Sequence, residues 1–543
     1  MSWLIPLTTS VIVFATTLFI LGRLFQKEAL RRRRVFLSSS SATNTLTVNS
    51  FNDTRKEDRR IAGFLHPYCN AGGGGERVLF AAIAYLQVND PNVLSVVYTG
   101  DVDSSGAPIS KQEILKRCRE RFGITLDESK VEFIHLKWRW LVEDSTWKRF
   151  TLIGQGLGAA LLGAEAMWRL VPDVFLDTHG LAFSYPVARY LGGAGPDKKA
   201  MPIVAYIHYP TISASMLARV SNRETTYANN VDVSSSAWRS TAKLLYYRLF
   251  SFIYTTALLV SPPSFLSVNS SWTKAHVDAL LKTRRETASL LSVVISVIEL
   301  GLTLAGWSEP SAAQETRVRR IYPPCDVQSL RDFSLKGRKK VVFSCAQFRP
   351  EKDHAKQIQA FALLFKAHPE LFVSEENKNG SAAGLKLVLL GSARHKEDLE
   401  RVEVLKKLAK DLGIESHVEF RLNAPYSELL HWLSVSSIGI STMVEEHFGI
   451  GVVEFMGAGL IPVVHASGGP IMDIVVPVDG HPTAGYLASS AEEFAAQLYT
   501  ALRMDENEAL AMRTRARDSS ARFSTEAFER GFGALWEDVK KVW

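Results

Sequence analysis

Two acidic residues, Glu446 and Glu454, have seven residues between them in the string EHFGIGVVE. An ionised carboxylate offers acceptor oxygens only, which suits the hydroxyls of a sugar or a ribose. Gly449 and Gly451 lie where a loop gives way to a predicted helix, and bare backbone N–H groups there favour an anion such as phosphate. No Lys or Arg occurs from Met443 to Gly469, so we interpret the two carboxylates as site residues and not as a solvated helix face.

Two cations, Arg349 and Lys352, stand three residues apart in the string FRPEKDH. They follow a predicted buried strand, at the point where the next helix should begin. Two cations in that position could clamp a diphosphate and stabilise the negative charge on a departing phosphate. Taken alone, the same string would be read as a solvated charged turn.

A glycine-rich turn and a single histidine are the corresponding features of the N-terminal half. Residues 67–77 read PYCNAGGGGER, and Gly74 and Gly75 could bring the backbone close to a ligand. The turn lacks both the G-x-G-x-x-G spacing of a dinucleotide site and the GK[ST] ending of a P-loop, which disfavours a dehydrogenase or an NTPase. His208 ends a predicted strand and could approach a reacting sugar, although such a histidine is more often structural.

Short runs rich in Val and Ile alternate with helical patterns and predict two parallel sheets that would position these residues. The predicted strands of the first series are 61–66, 93–99, 131–136, 174–177 and 203–208; those of the second are 340–345, 386–390, 418–420, 438–441 and 460–465. The pattern predicts an α/β protein with two doubly wound, Rossmann-like domains facing a cleft. We place them at 60–330 and 331–543, the second including charged terminal helices.

Composition excludes several classes of protein. With 543 residues, 46% of them hydrophobic, the chain is neither disordered nor a small disulfide scaffold. A formal charge of +7 is too small and too scattered to indicate a nucleic-acid partner. None of the four cysteines has metal-ligand or redox spacing, so nothing implies a disulfide framework, and a reducing, cytosol-facing location is expected.

The N-terminus predicts a single membrane anchor within residues 1–26. The stretch from Trp3 to Gly22 is uncharged, and a helix of that length spans about 30 Å, the thickness of a bilayer core. Arg23, Lys27 and the run Arg31–Arg34 follow, which puts the body of the protein in the cytosol. A cleaved signal peptide fits less well, because no convincing basic n-region or cleavage site is present. Residues 27–59 are expected to form a basic and polar linker.

A second apolar segment, residues 287–307, lies within an insertion of the N-terminal domain at about 285–310. Basic residues flank it on both sides, and a single crossing would separate the two α/β halves across the membrane. We therefore expect it to adhere to a membrane, to re-enter it, or to pack on the protein. The sequence does not choose among these three arrangements.

The combination of these motifs resembles the retaining GT-B glycosyltransferases, over nearly all of residues 60–520. More narrowly, it resembles the α-1,2-mannosyltransferases that extend the dolichol-linked oligosaccharide of the asparagine-linked glycosylation pathway. Five strings carry this resemblance in chain order: HPYCNAGGGGERVL, YIHYPTIS, VNSSWT, YPPCDV and EEHFGIGVVEFMGAGLIPVVHASGGP. The connection between 273 and 322 is longer than is usual in that family, which leaves the topology of the apolar insertion open.

The resemblance implies a metal-independent, cofactor-free transfer of mannose from GDP-mannose, with retention of configuration. The implied acceptor is Man3GlcNAc2-diphosphate-dolichol, which gains its fourth and fifth mannoses on the cytosolic face of the endoplasmic reticulum membrane. Other mannosyltransferases of the pathway are implied as partners, and nucleic acid is not.

By the same resemblance, individual residues take donor-binding or catalytic roles. Arg349 and Lys352 would hold the GDP diphosphate, and Glu454 the ribose hydroxyls. Contacts with mannose and the phosphates are implied for Glu446, Phe448, Gly449 and Ile450. Gly74 and Gly75 would approach the donor from the other domain, and His208 would lie near the transferring mannose.

Two alternatives stay open at this stage. One is another enzyme of the same fold, either a glycosyltransferase with a different donor or lipid acceptor, or a nucleotide-sugar epimerase. The other is a non-catalytic, membrane-tethered binding module. The anchor favours a lipid acceptor over a soluble epimerase, and the intact set of Glu446, Glu454, Arg349 and Lys352 argues against a degenerate relative.

Overall fold

A computed structural model of the chain describes residues 4–38, 60–192, 201–209, 211–223, 231–282, 318–373, 384–393, 395–478 and 480–543. The side chains of 4–19, 214–215, 231–232 and 259–260 are outside this description. The predicted apolar insertion at about 285–310, and residues 39–59 of the predicted linker, also lie outside the described residues. Contacts divide the chain into two compact units, and each is described by itself below.

The N-terminal unit consists of Met1–Val268, Thr273–Ile321 and Glu529–Trp543. Its strands are β1 (Arg60–Leu65), β2 (Val93–Thr99), β3 (Val131–His135), β4 (Val174–Asp177), β5 (Ile203–Ile207), β6 (Phe265–Val268) and β7 (Val318–Arg320). Its helices up to β6 are α1 (Leu4–Ser38), α2 (Gly74–Asn89), α3 (Lys111–Phe122), α4 (Thr151–Arg169), α5 (Ser184–Gly192), α6 (Ala214–Ser221), α7 (Val231–Ser234) and α8 (Ala237–Val260). A further helix, α9, covers residues 271–282.

The C-terminal unit consists of Asn269–Trp272 and Tyr322–Phe528. Its strands are β8 (Lys339–Cys345), β9 (Lys386–Gly391), β10 (Val418–Leu422), β11 (Ser436–Ser441), β12 (Ile461–His465) and β13 (Tyr486–Ala488). Its helices are α10 (His354–Ala367), α11 (Lys396–Asp411), α12 (Tyr426–Val435), α13 (Ile450–Ala458), α14 (Ala491–Leu502) and α15 (Glu506–Ser520); α16 (Thr525–Val542) then ends the chain.

Each unit is built around one parallel sheet. The N-terminal sheet has the order β3-β2-β1-β4-β5-β6-β7, and the C-terminal sheet has the order β10-β9-β8-β11-β12-β13. In both, the first strand of the unit lies in the middle and the chain winds outward in both directions, which is the doubly wound arrangement. The strands are almost wholly buried, as helix-covered parallel sheets require; all of Val93–Thr99 is buried. The predicted fold class of two Rossmann-like units is therefore confirmed.

All ten predicted strands are present, and the structure adds β6, β7 and β13. The three additional strands have only three or four residues each, too few for an apolar run to stand out. They extend their sheets at one edge, where pairing with a neighbouring strand supports a short segment.

The unit boundaries differ from the predicted ones at both ends of the second domain. The C-terminal unit begins at Tyr322 and not at 331, and α16 belongs mainly to the N-terminal unit. The indole N–H of Trp536 donates to Asp90 at 3.0 Å, and Phe532 packs edge-on against Tyr85. Gly533 leaves room for the Tyr85 hydroxyl, since a Cβ there would lie 2.4 Å from it. This packing carries the last helix back to the first domain.

The N-terminal helix continues through residues that were predicted to be linker. Helix α1 continues to Ser38, and its second half packs on the N-terminal unit. Arg33 donates to the carbonyl of Val171 at 2.8 Å and pairs with Asp173 at 2.6 Å. Gln26 donates to the carbonyl of Tyr190 at 2.6 Å. Among the helices whose residues are described, none is both long and apolar enough to cross a bilayer.

Candidate active site

The carboxyl ends of β8 and β11 mark the place in the C-terminal sheet where the winding reverses. Ligands of doubly wound sheets bind outside this switch point, because the loops that leave the two strands diverge there. The predicted cation pair follows β8 directly, and the Glu446 loop follows β11 directly. The topology therefore brings the two strongest sequence motifs of this unit to one edge of the sheet.

An ion pair joins the two motifs. The Nζ of Lys352 lies 2.9 Å from Oε1 of Glu446, and it also lies 3.1 Å from the Met443 sulfur. Both side chains are largely shielded from solvent, with 24% of Lys352 and 16% of Glu446 exposed. The Arg349 side chain is exposed and makes no hydrogen bond or ion pair with any described residue. Lys352 is thus held at the site by protein contacts, whereas Arg349 is directed to solvent.

Hydroxyl groups hold both partners of this ion pair. The hydroxyl of Ser441, the last residue of β11, donates to Oε2 of Glu446 at 3.2 Å. The next residue, Thr442, has its Oγ1 within 3.1 Å of the Lys352 carbonyl and 2.8 Å of the Asp353 carbonyl. The end of β11 therefore fixes the carboxylate with one side chain and the lysine-bearing turn with the next.

The backbone of Glu446 is fixed by a glycine turn that follows β12. The N–H of Gly469 donates to the Glu446 carbonyl at 2.7 Å. Gly468 adopts a left-handed conformation, with φ of 68°, and a Cβ there would lie 2.3 Å from the same carbonyl oxygen. A larger residue at 468 would be strained and would also displace the Glu446 loop. The predicted turn Ser467–Pro470 is therefore what allows the carboxylate loop to sit against β12.

Each charge of the pair stabilises the other. Burial raises the pKa of Glu446, but the Lys352 ammonium and the Ser441 hydroxyl outweigh burial and leave the pKa below 4.5. Burial lowers the pKa of Lys352, but the Glu446 carboxylate outweighs it and leaves the pKa above 10.5. Both groups are consequently charged throughout the neutral range.

These two shifts predict how the pair contributes to stability as pH changes. The contribution from Glu446 is present above pH 4.5 and is lost as pH falls through its lowered folded-state pKa. The contribution from Lys352 is present below pH 10.5 and is lost as pH rises through its raised folded-state pKa.

The measurement compares the free energy of unfolding of the wild type with that of Lys352→Met/Glu446→Gln by denaturant titration. We expect the free energies of unfolding of the two proteins to differ by a constant amount from about pH 5 to about pH 10. Outside that window we expect the two free energies to converge. A difference that changes between about pH 6 and 8 would contradict the assignment of both charges.

Helix α13 begins beside this ion pair and offers an anion site. Its N-cap, Gly449, has a φ of 112° and no side-chain cap. Gly451 lies in the first turn, where a Cβ would have as its nearest neighbour the carbonyl oxygen of Cys345, 3.7 Å away at the end of β8. The helix therefore starts at the switch point, and its first turn exposes glycine backbone without a side chain in the way. Such a helix N-terminus favours the binding of a phosphate.

Two other predicted residues of this segment have different surroundings. Glu454 is half-buried one turn into α13. The Phe448 ring is buried and packs against Tyr322 and Phe523, at ring-centroid distances of 5.6 and 5.3 Å. Any ligand contact of Phe448 would therefore come from its backbone, and its side chain anchors the loop to the core.

Arginines hold the opposite end of α13, and the sequence analysis missed them. Arg517 donates to the carbonyls of Gly457 and Ala458 at 3.0 and 3.2 Å, and Arg338 donates to Ala458 as well. Cations at a helix C-terminus satisfy its last carbonyls and complement its dipole. Their distance in sequence from α13 left no local pattern to reveal them.

In the N-terminal unit, the switch point between β1 and β4 carries a chain of hydrogen bonds. Glu76 Oε1 lies 3.3 Å from Nε2 of His66, and His66 Nδ1 lies 2.8 Å from the Thr178 hydroxyl. The other oxygen of Glu76 accepts from the N–H of Gly73, so Glu76 ties the glycine-rich turn to the histidine. A Cβ on Gly75 would lie 3.5 Å from Nε2 of His208 and 3.6 Å from Cε1 of His66. The predicted turn and the predicted histidine therefore adjoin one another.

One hydrogen bond fixes the tautomer of His208. Its Nε2 lies 3.1 Å from the carbonyl oxygen of Thr178, which can only accept. Burial and the neighbouring His66 lower the pKa of His208 to about 4, so the ring is neutral at physiological pH. In the neutral ring the proton is then on Nε2 and Nδ1 carries the lone pair.

The predicted site residues thus fall into two groups, one in each unit. Gly74, Gly75 and His208 lie together at the N-terminal switch point. The remaining residues lie in the C-terminal unit: Arg349, Lys352, Glu446, Phe448, Gly449, Ile450 and Glu454. Within the described parts of the chain, no group of three or more His, Cys, Asp or Glu side chains could hold a metal ion.

Comparison with known proteins gives matches over nearly the whole chain. Residues 59–281 match the family described as ALG11 mannosyltransferase N-terminus, and residues 327–519 match glycosyl transferases group 1. The human GDP-Man:Man(3)GlcNAc(2)-PP-Dol alpha-1,2-mannosyltransferase is 42% identical over 489 residues, which cover 89% of this chain and 88% of the human protein. The Dictyostelium discoideum protein of the same name is 39% identical over 87% of this chain and 83% of its own length.

The chain belongs to this mannosyltransferase family.

Solved structures that resemble the chain agree on the fold. Sucrose-phosphate synthase from Thermosynechococcus elongatus aligns with a TM-score of 0.55 at 14% identity, covering 89% of this chain and all of that one. Anabaena Alr3699/HepE, solved with UDP and glucose, aligns with a TM-score of 0.52 at 15% identity, over 88% of this chain and 100% of its own. At these identities the likeness concerns the fold, which is that of the GT-B glycosyltransferases.

The structure places four further polar residues at these two groups. Ser441, Thr442, His66 and Glu76 all adjoin a predicted site residue or its loop. Ser441 and His66 are the last residues of predicted strands and Thr442 directly follows one, so a systematic look at polar residues at strand ends would have found these three.

Proposed function

We propose that this chain transfers mannose from GDP-mannose, in α-1,2 linkage, to dolichol-diphosphate-linked Man3GlcNAc2, adding the fourth and fifth mannoses. The observation that carries the proposal is the 42% identity to the human enzyme of that name over 89% of the chain. The placement of Lys352 and Glu446 at the switch point of a GT-B C-terminal unit supports it, since nucleotide-type ligands bind at such points.

The donor diphosphate is assigned to the cations and to the start of α13. Lys352 is already oriented by Glu446, and Arg349 is exposed and available to approach a ligand. Together with the first turn of α13, they can stabilise the negative charge that develops on departing GDP. This assignment makes a metal ion unnecessary, and metal-independent transfer is part of the proposal.

The sugar and ribose contacts are assigned to the carboxylates and to backbone groups. Glu446, with the backbone of Phe448, Gly449 and Ile450, would contact mannose and the phosphates. Glu454 would accept hydrogen bonds from the ribose hydroxyls. In the N-terminal unit, Gly74 and Gly75 would approach the donor, and His208 would lie near the transferring mannose.

The chemical step would retain configuration at the anomeric carbon. The bond from the mannose C1 to the diphosphate oxygen breaks, and a bond from C1 to the acceptor hydroxyl oxygen forms on the same face. The acceptor proton passes to the departing phosphate oxygen. The contribution of the protein is to orient the reactants and to stabilise the departing charge.

A membrane location completes the proposal. We place the chain at the cytosolic face of the endoplasmic reticulum, anchored by the apolar residues before Arg23, because the acceptor is lipid-linked and basic residues follow that stretch. Other mannosyltransferases of the same pathway are proposed partners. A GT-B glycosyltransferase acting on a different donor or lipid acceptor is the alternative that the test must separate.

The test uses purified full-length chain, Man3GlcNAc2-diphosphate lipid and GDP-mannose, with and without EDTA. We expect mannose transfer at an unchanged rate in EDTA, and no transfer when UDP-glucose replaces GDP-mannose. Transfer that requires a divalent ion would contradict metal independence. Transfer from UDP-glucose alone would support the alternative enzyme and reject the donor assignment.

A further inference from the structure

Helix α8 of the N-terminal unit is apolar on two opposite faces. Phe250, Tyr254 and Leu258 point inward and are buried. The exposed residues on the other face are Trp238, Leu245, Leu249 and Phe252, whose spacings of seven, four and three place them on one stripe. Trp238 is 79% exposed. A stripe with helical periodicity on the outside of a domain indicates a surface that contacts a partner.

Helix α4 carries a similar stripe. Leu157 and Leu161 are exposed on it, and Ile153, Ala164 and Trp168 lie on the same helical face and are half-buried. The opposite face packs into the core through residues such as Leu162 and Ala166. Both helices therefore bury one apolar face and present another.

The two helices contact one another at the start of α4. The Tyr246 hydroxyl of α8 accepts hydrogen bonds from the N–H groups of Leu152 and Ile153, at 2.9 and 3.3 Å. The Phe150 ring lies 5.6 Å from the Tyr246 ring and is 67% exposed. Phe150 has a φ of 54°, a conformation that a bulky residue rarely adopts. An exposed aromatic ring, that of Phe150, thus lies where the two helices meet.

At its other end, α4 contacts the N-terminal helix. The Trp168 ring lies 4.9 Å from the Phe25 ring, and the Arg32 guanidinium lies 4.2 Å above it. Leu21 and Leu24, which precede Phe25 on α1, are exposed. We define the outer face as the exposed apolar residues of α1, α4 and α8, represented by Leu21, Leu24, Leu157, Leu161, Leu245 and Leu249. It is continuous with the helix that we propose as the membrane anchor.

Basic and aromatic side chains lie on or next to the helices that form the outer face. Lys148 and Arg149 precede Phe150 and are exposed, as are Arg239 and Arg248 of α8. The exposed cations of α1 are Arg23, Lys27, Arg31 and Arg34, and the exposed tryptophans of the loop before α4 are Trp138 and Trp140. Of the nearby acids, Glu28 is paired with Arg31, Glu143 is paired with Arg139, and Asp144 is exposed. This excess of cations among aromatic residues is typical of surfaces that lie in a lipid headgroup region.

We propose that the outer face docks the N-terminal unit on a phospholipid surface that contains anionic lipid. Leu245, Leu249 and their neighbours would enter the boundary between headgroups and acyl chains, and the flanking cations would contact lipid phosphates and carboxylates. The inference deepens the proposed function in one respect, because it would place the unit next to a lipid-linked acceptor. The docking itself does not depend on the reaction.

The test places an environment-sensitive NBD label at single sites of the full-length chain in vesicles. The variants are Leu245→Cys and Leu249→Cys, and the control is Val404→Cys, an exposed apolar position of the C-terminal unit. Three of the native cysteines are buried, and labelled wild type measures the background from the fourth, Cys345. The vesicles contain phosphatidylcholine alone, or with about a third of phosphatidylserine, and nitroxide-labelled lipids serve as quenchers.

We expect quenching at 245 and 249, stronger with phosphatidylserine, and none at 404. Labels at 245 and 249 that stay as exposed as the control would overturn the proposal. Labels that are shielded from water but not quenched by lipid would also overturn it, because protein would then cover the face.

An activity measurement separates this inference from the proposed function. Leu245→Glu/Leu249→Glu is compared with Val404→Glu on a vesicle-embedded acceptor and on a short-chain, water-soluble acceptor. We expect the double variant to lose about 10-fold or more on the vesicle acceptor only. Equal loss on both acceptors would contradict docking. A wild type that is inactive on both acceptors would reject the proposed function and leave the label result to decide on docking.

Discussion

Replacing Lys352 by Met is expected to lower kcat by about 10³-fold while the protein stays folded. The ammonium lies at the C-terminal switch point and is already oriented there by Glu446, at 2.9 Å. If it stabilises departing GDP, its loss removes a preorganised charge at the point where charge develops, and groups of this kind contribute about 10²–10³ each. Met keeps an unbranched apolar side chain, one atom shorter than that of Lys, and removes the charge and the hydrogen-bond donors.

The matched control is Lys356→Met. Lys356 is also partly shielded, at 20% exposed, and also forms an ion pair, with Asp353 at 3.1 Å. It lies on α10, one turn beyond Lys352, and we assign it no role in the reaction. We expect its removal to leave kcat within about threefold of the wild type. Similar losses in both variants would indicate a general structural effect instead of a specific charge.

A double-mutant cycle sharpens the prediction. Because Lys352 and Glu446 act as a pair, Lys352→Met/Glu446→Gln should be little worse in kcat than the more damaging single variant. Thermal unfolding of each variant checks the fold. A folded Lys352→Met protein that turns over normally would remove this cation from the mechanism.

Gly451→Ala is expected to weaken donor binding by about 10-fold or more without loss of stability. A Cβ at this position would have the Cys345 carbonyl at 3.7 Å as its nearest neighbour, an ordinary contact, and Gly451 is not in the left-handed region. The protein therefore accommodates the methyl group. A phosphate could not approach the first turn of α13 in the same way, because the methyl group would stand between the phosphate and the backbone N–H groups.

The contrast with Gly449→Ala makes the result interpretable. Gly449 has a φ of 112°, so Ala there is strained and should lower the melting temperature as well as activity. Isothermal titration with GDP and the KM for GDP-mannose measure the binding effect, and thermal unfolding without nucleotide measures stability. A Gly451→Ala protein with unchanged affinity for GDP would place the phosphates elsewhere.

Much of the fold could be predicted because parallel strands buried on both faces leave long apolar runs. Val93–Thr99 and Ile203–Ile207 are such runs, and both are wholly buried. The three-residue strands Val318–Arg320 and Tyr486–Ala488 have no such signal, because neighbouring strands and not their own composition support them. The return of α16 to the first unit depends on the long-range pair Trp536–Asp90, which no local pattern reveals.

The candidate site could be predicted where chemistry and strand ends coincide in sequence. Lys352 and Glu446 each follow a strand within a few residues, and the structure pairs them. The support around them is non-local: Gly468 and Gly469 follow a different strand, and Arg517 lies 60 residues beyond the carbonyl that it contacts. Residue types showed which groups could react, whereas only the folded chain shows which neighbours hold them.

The mass of the lipid-linked product tests the central claim most directly. Purified full-length chain is incubated with Man3GlcNAc2-diphosphate lipid and GDP-mannose carrying heavy-isotope mannose, and the oligosaccharide is released and weighed. The account predicts a gain of two labelled hexoses, both removed by an α-1,2-specific mannosidase. An unchanged acceptor in the presence of folded protein, or labelled hexoses that resist this mannosidase, would contradict it.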